Sequence, residues 1–281
     1  MVVTVVARCP HDKNDDNFFN MTAPIVFDRR LYAGRRLRAE RDAQYSFLLG
    51  HAGDNLAERL GTVKRHFSIA LDLSTRDQSF GLFKTRADRW VRTALHPDSR
   101  AVCLVADEEA LPFAAGSFDL VVSVLGLHAV NDLPGALVQI RRTLKPGGLF
   151  MAALFGGATL KELRRALALG ETEATGGTSP HVAPFADVRD MGALLQRAGF
   201  VSAVADSDTL PVRYGSFAGL VGDMRALGET NALAQRRRRP LPRRAYSATL
   251  KSYAQNDGRN GKLAATFEIL YLTGWAPNDD L

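Results

Sequence analysis

The sequence predicts an α/β protein with a doubly wound, mostly parallel, Rossmann-like sheet. Apolar runs of strand length alternate with amphipathic helical segments, from "FSIALDL" through "AVCLVAD" and "SFDLVVSVL" to "LFMAALF". The run "FDLVVSV" is apolar on both faces, as a strand covered from both sides must be. Right-handed crossovers turn such an alternation into a wound sheet, whose ligands bind beyond the carboxyl ends of its strands. Asp72, Asp107, Leu125 and Phe155 occupy those ends.

Residues 1–20, "MVVTVVARCPHDKNDDNFFN", read as a disordered extension ahead of a second start at Met21. They lack the long apolar centre of a signal peptide, and Asp12, Asp15 and Asp16 argue against a transit peptide. Residues 21–281 read as a single domain, with a core over 66–206 and 264–276 and a helical lid over 207–260. A charged helix is expected over Asp28–Phe47. A second follows over Asp54–Lys64, capped by Asp54, with Leu56, Leu60 and Val63 at helical spacing. In "NDLPGALVQIRRTL" Asp132 caps a helix whose stripe is Leu133, Leu137, Ile140 and Leu144, and "KPGG" stops it. Further on come a helix over Thr159–Leu169, a loop over Thr172–Pro184, a helix in "ADVRDMGALLQRAGF" and a strand over Val201–Ala205. Helical segments within Ser216–Tyr253 and the final strand "TFEILYLTGWA" complete the order.

Composition narrows the function classes. At 281 residues and 46% hydrophobic, the chain can bury a substantial core, and no apolar run is long enough for a membrane span. Cys9 and Cys103 form no CxxC, so neither a disulfide framework nor a cysteine metal site is expected. A reducing compartment fits: bacterial cytoplasm, or the mitochondrial matrix in a eukaryote. The net charge is +6, and its densest basic stretch is "RRRRPLPRR" at Arg236–Arg244. Two prolines and no interleaved aromatics make that stretch a solvated loop, or else a docking patch for an acidic protein; nucleic acid is not expected.

"ALDL", "ADEEALPFAAGSFDLVVSVLGLH" and "LKPGGLFMAAL" resemble the class I S-adenosylmethionine-dependent methyltransferases. From Phe27 onward, "FDRR", "VNDLPGAL", "ETEATGGTSPHVAPF", "LGETN" and "YLTGW" resemble the arginine-hydroxylase assembly factors of respiratory complex I. The carrier-protein O-methyltransferases of biotin synthesis are more distantly similar. The resemblance implies S-adenosylmethionine as cofactor and a complex I subunit as protein substrate. It also implies that Asp72 organises the turn and meets the cofactor's amino-acid end, with Asp88 on the ribose hydroxyls. Asp107 and Glu108 would lie beside the adenine, and Ser123 and Leu125 would line the methionine moiety.

The turn departs from the family's glycine-rich pattern, with Ser74, Arg76 and Gln78 at the three glycine positions. Glycine there permits positive φ and a close backbone approach to the ligand. Arg76 either obstructs the site or pairs with the cofactor carboxylate. Asp88 lies sixteen positions after Asp72, where about twenty is usual in the analogous dinucleotide fold. His128 and His181 are candidates for acid/base work or substrate positioning, each with a structural hydrogen bond as the alternative. Glu171 and Glu173 could grip a substrate arginine or be helix-end carboxylates, and Glu229 and Asn231 belong to the expected lid. No spacing suggests an iron triad. Three functions stay open: a protein-modifying enzyme, a non-catalytic assembly chaperone on the same frame, and a small-molecule or carrier-protein methyltransferase.

Overall fold

The computed structural model describes residues 24–42, 46–97, 99 and 104–278. The expected N-terminal extension, Met21, Cys9 and Cys103 lie outside the described residues.

Helices α1 (Arg29–Asp42) and α2 (Phe47–Thr62) precede strand β1 (Phe67–Leu73). The helix cap is Ser46, whose hydroxyl accepts from the Leu49 amide, so α2 begins a full two turns before the expected Asp54. A single turn, α3 (Asp77–Phe80), leads to β2 (Ala87–Ala94) and the short β3 (Leu104–Val105). Next come β4 (Phe118–Val124), α4 (Leu133–Thr143) and β5 (Leu144–Phe155). Asp132 caps α4 as expected, accepting from the Gly135 amide at 2.9 Å. Helices α5 (Lys161–Thr175) and α6 (Val188–Arg197) lead to β6 (Val201–Tyr214). The remainder is α7 (Phe217–Leu227), α8 (Arg243–Asp257), β7 (Gly258–Arg259) and β8 (Lys262–Trp275).

The sheet runs β3-β2-β1-β4-β5-β8-β6, with β7 paired to β8. The pairs from β3 to β5 are parallel, and β8 is antiparallel to both neighbours. Each face carries its own core. Leu48, Leu56 and Leu60 of α2 meet Leu120 and Met151 on one side. Leu137 and Ile140 of α4 and Leu195 of α6 meet Val121 and Phe150 on the other. The strand expected to stop at Ala205 continues to Tyr214, pairing with β8 as far as Leu263. Its burial alternates along that extension, and Pro211 is tolerated because β6 is an edge strand. The helical lid therefore starts at Ser216 rather than 207.

Helices α5 and α8 approach backbone to backbone: a Cβ added at Gly170 would stand 2.3 Å from the Thr249 nitrogen. Gly170→Ala must push the helices apart, and overpacking of this kind costs about 1–3 kcal/mol. Urea unfolding should show a lower midpoint at unchanged slope; an unmoved midpoint would contradict the close approach.

Candidate functional site

The reversal of strand order between β1 and β4 marks the crevice where a wound sheet binds its ligand. Its floor is the turn after β1. Asp72 is buried, accepting from the Thr75 amide at 3.2 Å and from Arg92 Nε at 2.9 Å. Burial pushes its carboxyl up to about 6, against the lowering by Thr75 and Arg92. Arg92 also donates to Asp77 and to the Thr75 carbonyl, and its guanidinium lies 3.7 Å from the Phe80 ring centroid. Ser123 donates to the Leu73 carbonyl at 2.9 Å, which ties β4 to β1.

Ser74, at the first missing glycine, adopts φ 59° without one, and Leu125 at the end of β4 adopts φ 50°. Such a conformation costs an L-residue about 1–2 kcal/mol. It turns two carbonyls into the crevice, and Arg36 of α1 holds both: Nη2 donates to the Ser74 oxygen at 2.7 Å and Nη1 to the Leu125 oxygen at 2.5 Å. Burial works against the charge of Arg36, yet Tyr32 and Glu229 hold its pKa above the ordinary guanidinium value.

The adenine-side carboxylates are engaged in the same way. Arg29 Nη2 donates to Asp107 at 2.7 Å and also to Glu108, while Nη1 donates to the Ala129 carbonyl. The second Glu108 oxygen accepts from the Ser74 hydroxyl at 2.5 Å. Arg29, Tyr32 and Arg36, one stripe of α1, thus enter the crevice.

The residues expected at the other glycine positions point elsewhere. Arg76 has ordinary extended dihedrals, so that position needs no glycine. Its buried guanidinium donates to the carbonyls of Ala226 at 2.8 Å and Ala39 at 3.1 Å, which corrects its expected place beside the cofactor carboxylate. Gln78 exchanges two hydrogen bonds with the backbone of Ser46. Asp88 requires a second correction. It sits at the start of β2, exposed and paired with His66 at 2.7 Å. The carboxyl end of that strand is six residues, roughly 20 Å, further on. The short spacing from Asp72 reflects this placement at the wrong end of the strand.

Beyond the crevice, under α7 and the loop before α6, is a cavity of about 160 Å³. Phe155, Phe185, Leu220 and Met224 supply apolar wall, and His128, His181 and Glu229 line it too. Asp72, Ser74, Asp107 and Ser123 do not. His128 lies 2.9 Å through Nε2 from Glu229, among the rings of Tyr32, Phe155 and Phe185. Its other ring nitrogen is buried without a partner. Although burial opposes it, His128, Arg36 and Tyr32 hold the Glu229 carboxyl below its ordinary 4.5. His181 lies 3.0 Å from Glu171, which also accepts from Ser179 and Arg237. Glu171 therefore grips an arginine of its own chain, and Glu173 is an exposed helix carboxylate. Asn231 donates to the Pro180 carbonyl, fastening the lid to the His181 loop. Among the described residues no group of three His, Cys, Asp or Glu could hold a metal ion.

The residues present do not fit S-adenosylmethionine in this arrangement, because the oxygens that would face it are bonded to Arg29, Arg36 and Arg92. The missed residues are those arginines and Tyr32. The signal was the spacing of Arg29, Tyr32 and Arg36, which puts two cations on the stripe where an amphipathic helix carries its buried face.

This frame, with its crevice between β1 and β4, is the class I methyltransferase fold. The methyltransferase-domain family pattern matches residues 57–152. The YcgJ protein of Bacillus subtilis shares the fold at TM-score 0.55 and 12% identity, covering 80% of this chain and 99% of that one. The BH2331 protein of Bacillus halodurans does so at 0.52 and 14%, covering 80% and 100%. Within that class the chain belongs to the family of the mitochondrial arginine-hydroxylase NDUFAF5. It is 38% identical to the mouse protein over 269 residues, 90% of this chain and 78% of that one. To the human protein it is 38% identical over 265 residues, 89% and 76%. The malonyl-[acyl-carrier protein] O-methyltransferase of Gallionella capsiferriformans is 36% identical over 231 residues, 81% and 74%.

The Glu229 cluster makes a pH prediction. A depressed folded pKa contributes stability that is present above the ordinary value of 4.5 and lost as pH falls through the lower folded value. Glu229→Gln should lower stability at neutral pH by about 3 kcal/mol, since it strips a buried cation of its partner. It should also flatten the acid limb of a plot of stability against pH. A parallel acid limb in wild type and variant would contradict the assignment.

Proposed function

We propose that this chain serves respiratory complex I assembly by binding a protein partner, using the methyltransferase frame as a recognition module without S-adenosylmethionine. One observation carries the reading: Arg36 holds both carbonyls that would receive the cofactor's amino-acid end. A hydrogen bond to a charged group contributes about 1.5–3 kcal/mol, so displacing both costs about 3–6 kcal/mol. Micromolar binding is worth about 8 kcal/mol, and what remains corresponds to millimolar affinity or weaker. The family relationship supports the assembly role, in the mitochondrial matrix for a eukaryotic chain and the cytoplasm for a bacterial one.

A second reading, modification of an arginine on that partner, is favoured by the His128–Glu229 pair at the cavity wall. Its Nε2 faces a carboxylate, which leaves Nδ1 as the acceptor in the neutral ring. A carrier-protein methyltransferase would need the cofactor, so the engaged crevice weighs against it.

Titration calorimetry with S-adenosylmethionine and with S-adenosylhomocysteine tests the proposal. The expected result is no saturable heat at micromolar ligand and a dissociation constant in the millimolar range or weaker. Micromolar binding of either compound would overturn it.

A further inference from the structure

The opposite side of α1 carries a second set of arginines with a different property. Backbone bonds from Asp28 to Ala232 and from Ala234 to Val26 staple the segment before the basic stretch against the start of α1. This brings Arg236 beside the helix, where it donates to Asp28 at 3.2 Å and to the Leu233 carbonyl at 2.9 Å. Arg35 is half-buried with one terminal nitrogen out of contact with water and without a hydrogen-bond partner. Its electrostatic neighbours are led by Arg236 and Arg38, with Asp28 and Glu229 weaker, and burial followed by these two cations lowers its pKa. Among the described residues no carboxylate bonds to Arg35, Arg38, Arg238 or Arg239, and the last two and Arg38 are exposed.

A solvated basic loop would leave its guanidiniums in water. Here a donor is desolvated and flanked by like charge, an arrangement that is unfavourable until an anion joins it. We propose that Arg35, Arg38 and Arg236 form an anion-binding face that takes the carboxylates of an acidic segment of a partner protein. This rests on the protein-partner reading above and supplies the chemistry of that partner. Guanidinium forks match carboxylates in bidentate fashion. Ile25, 72% exposed, shares a shallow groove with Arg238, which gives a peptide an apolar contact beside the charges. The basic stretch has no interleaved aromatics to stack bases, so single-stranded nucleic acid is the poorer fit. Because the same helix carries Arg29 and Arg36 on its other side, a partner docked here would also brace the closure of the crevice.

The test is fluorescence anisotropy of a labelled poly-glutamate peptide against the full chain at low salt. Wild type should bind, and Arg35→Gln and Arg38→Gln should each weaken binding about tenfold, the size of one charge-assisted hydrogen bond. Lys64→Gln, an exposed cation at the end of α2, should leave it unchanged. Arg35→Gln should melt no lower than wild type, since it relieves repulsion; Arg38 is exposed, so its variant keeps the test valid if the first fails to fold. Absence of peptide binding, equal binding by wild type and both arginine variants, or tighter binding of single-stranded DNA of equal charge would overturn the proposal. Cofactor affinity does not enter these measurements, so this face and the closed crevice stand or fall separately.

Discussion

The guanidinium of Arg36 joins three parts of the molecule that are distant in sequence. From α1 it bonds the turn after β1 through Ser74 and the end of β4 through Leu125, and its charge faces Glu229 at the lid. A buried cation persists only where its donors are matched, and removing it would leave two inward-turned carbonyls and a buried carboxylate without that partner. Tyr32 links the same carboxylate to α1. The N-terminal helix, the switch point of the sheet and the lid are consequently coupled through one charged group.

That coupling explains how the glycine-rich turn could be rebuilt without losing the fold. Ser74 accepts the left-handed backbone and uses its hydroxyl on Glu108, so its side chain points into the bonding scheme. Arg76 and Gln78 turn toward α1, α2 and α7, where their polar ends satisfy backbone groups. A side chain at these positions therefore fastens helices to the sheet where glycine would leave room for a ligand. Arg29 and Arg92 complete the pattern by meeting the remaining carboxylates of the rim.

Much of this frame was legible in the sequence because its signals are local. Valine-rich β4, the Asp132 cap and the alternation of elements each depend on neighbouring residues, and each is found in place. Strand β6 was underestimated because its outer half is polar and its length is set by pairing with β8. The rim carboxylates Asp72, Asp107 and Glu108 lie at the expected strand ends. Their partners were hidden because Arg29 and Arg36 come from a helix that reads as charged all round, and only the tertiary arrangement separates its inward stripe from its outer one. Asp88 failed for another reason: counting residues from Asp72 ignores that α3 is a single turn, which moves the whole of β2 along the chain.

Crystallisation with a large excess of S-adenosylhomocysteine examines the crevice at atomic level. The guanidinium of Arg36 should remain on the Ser74 and Leu125 oxygens, with Arg29 on Asp107 and no adenosyl density between them. Ligand density bonded to those oxygens, with Arg36 swung away, would contradict the central claim.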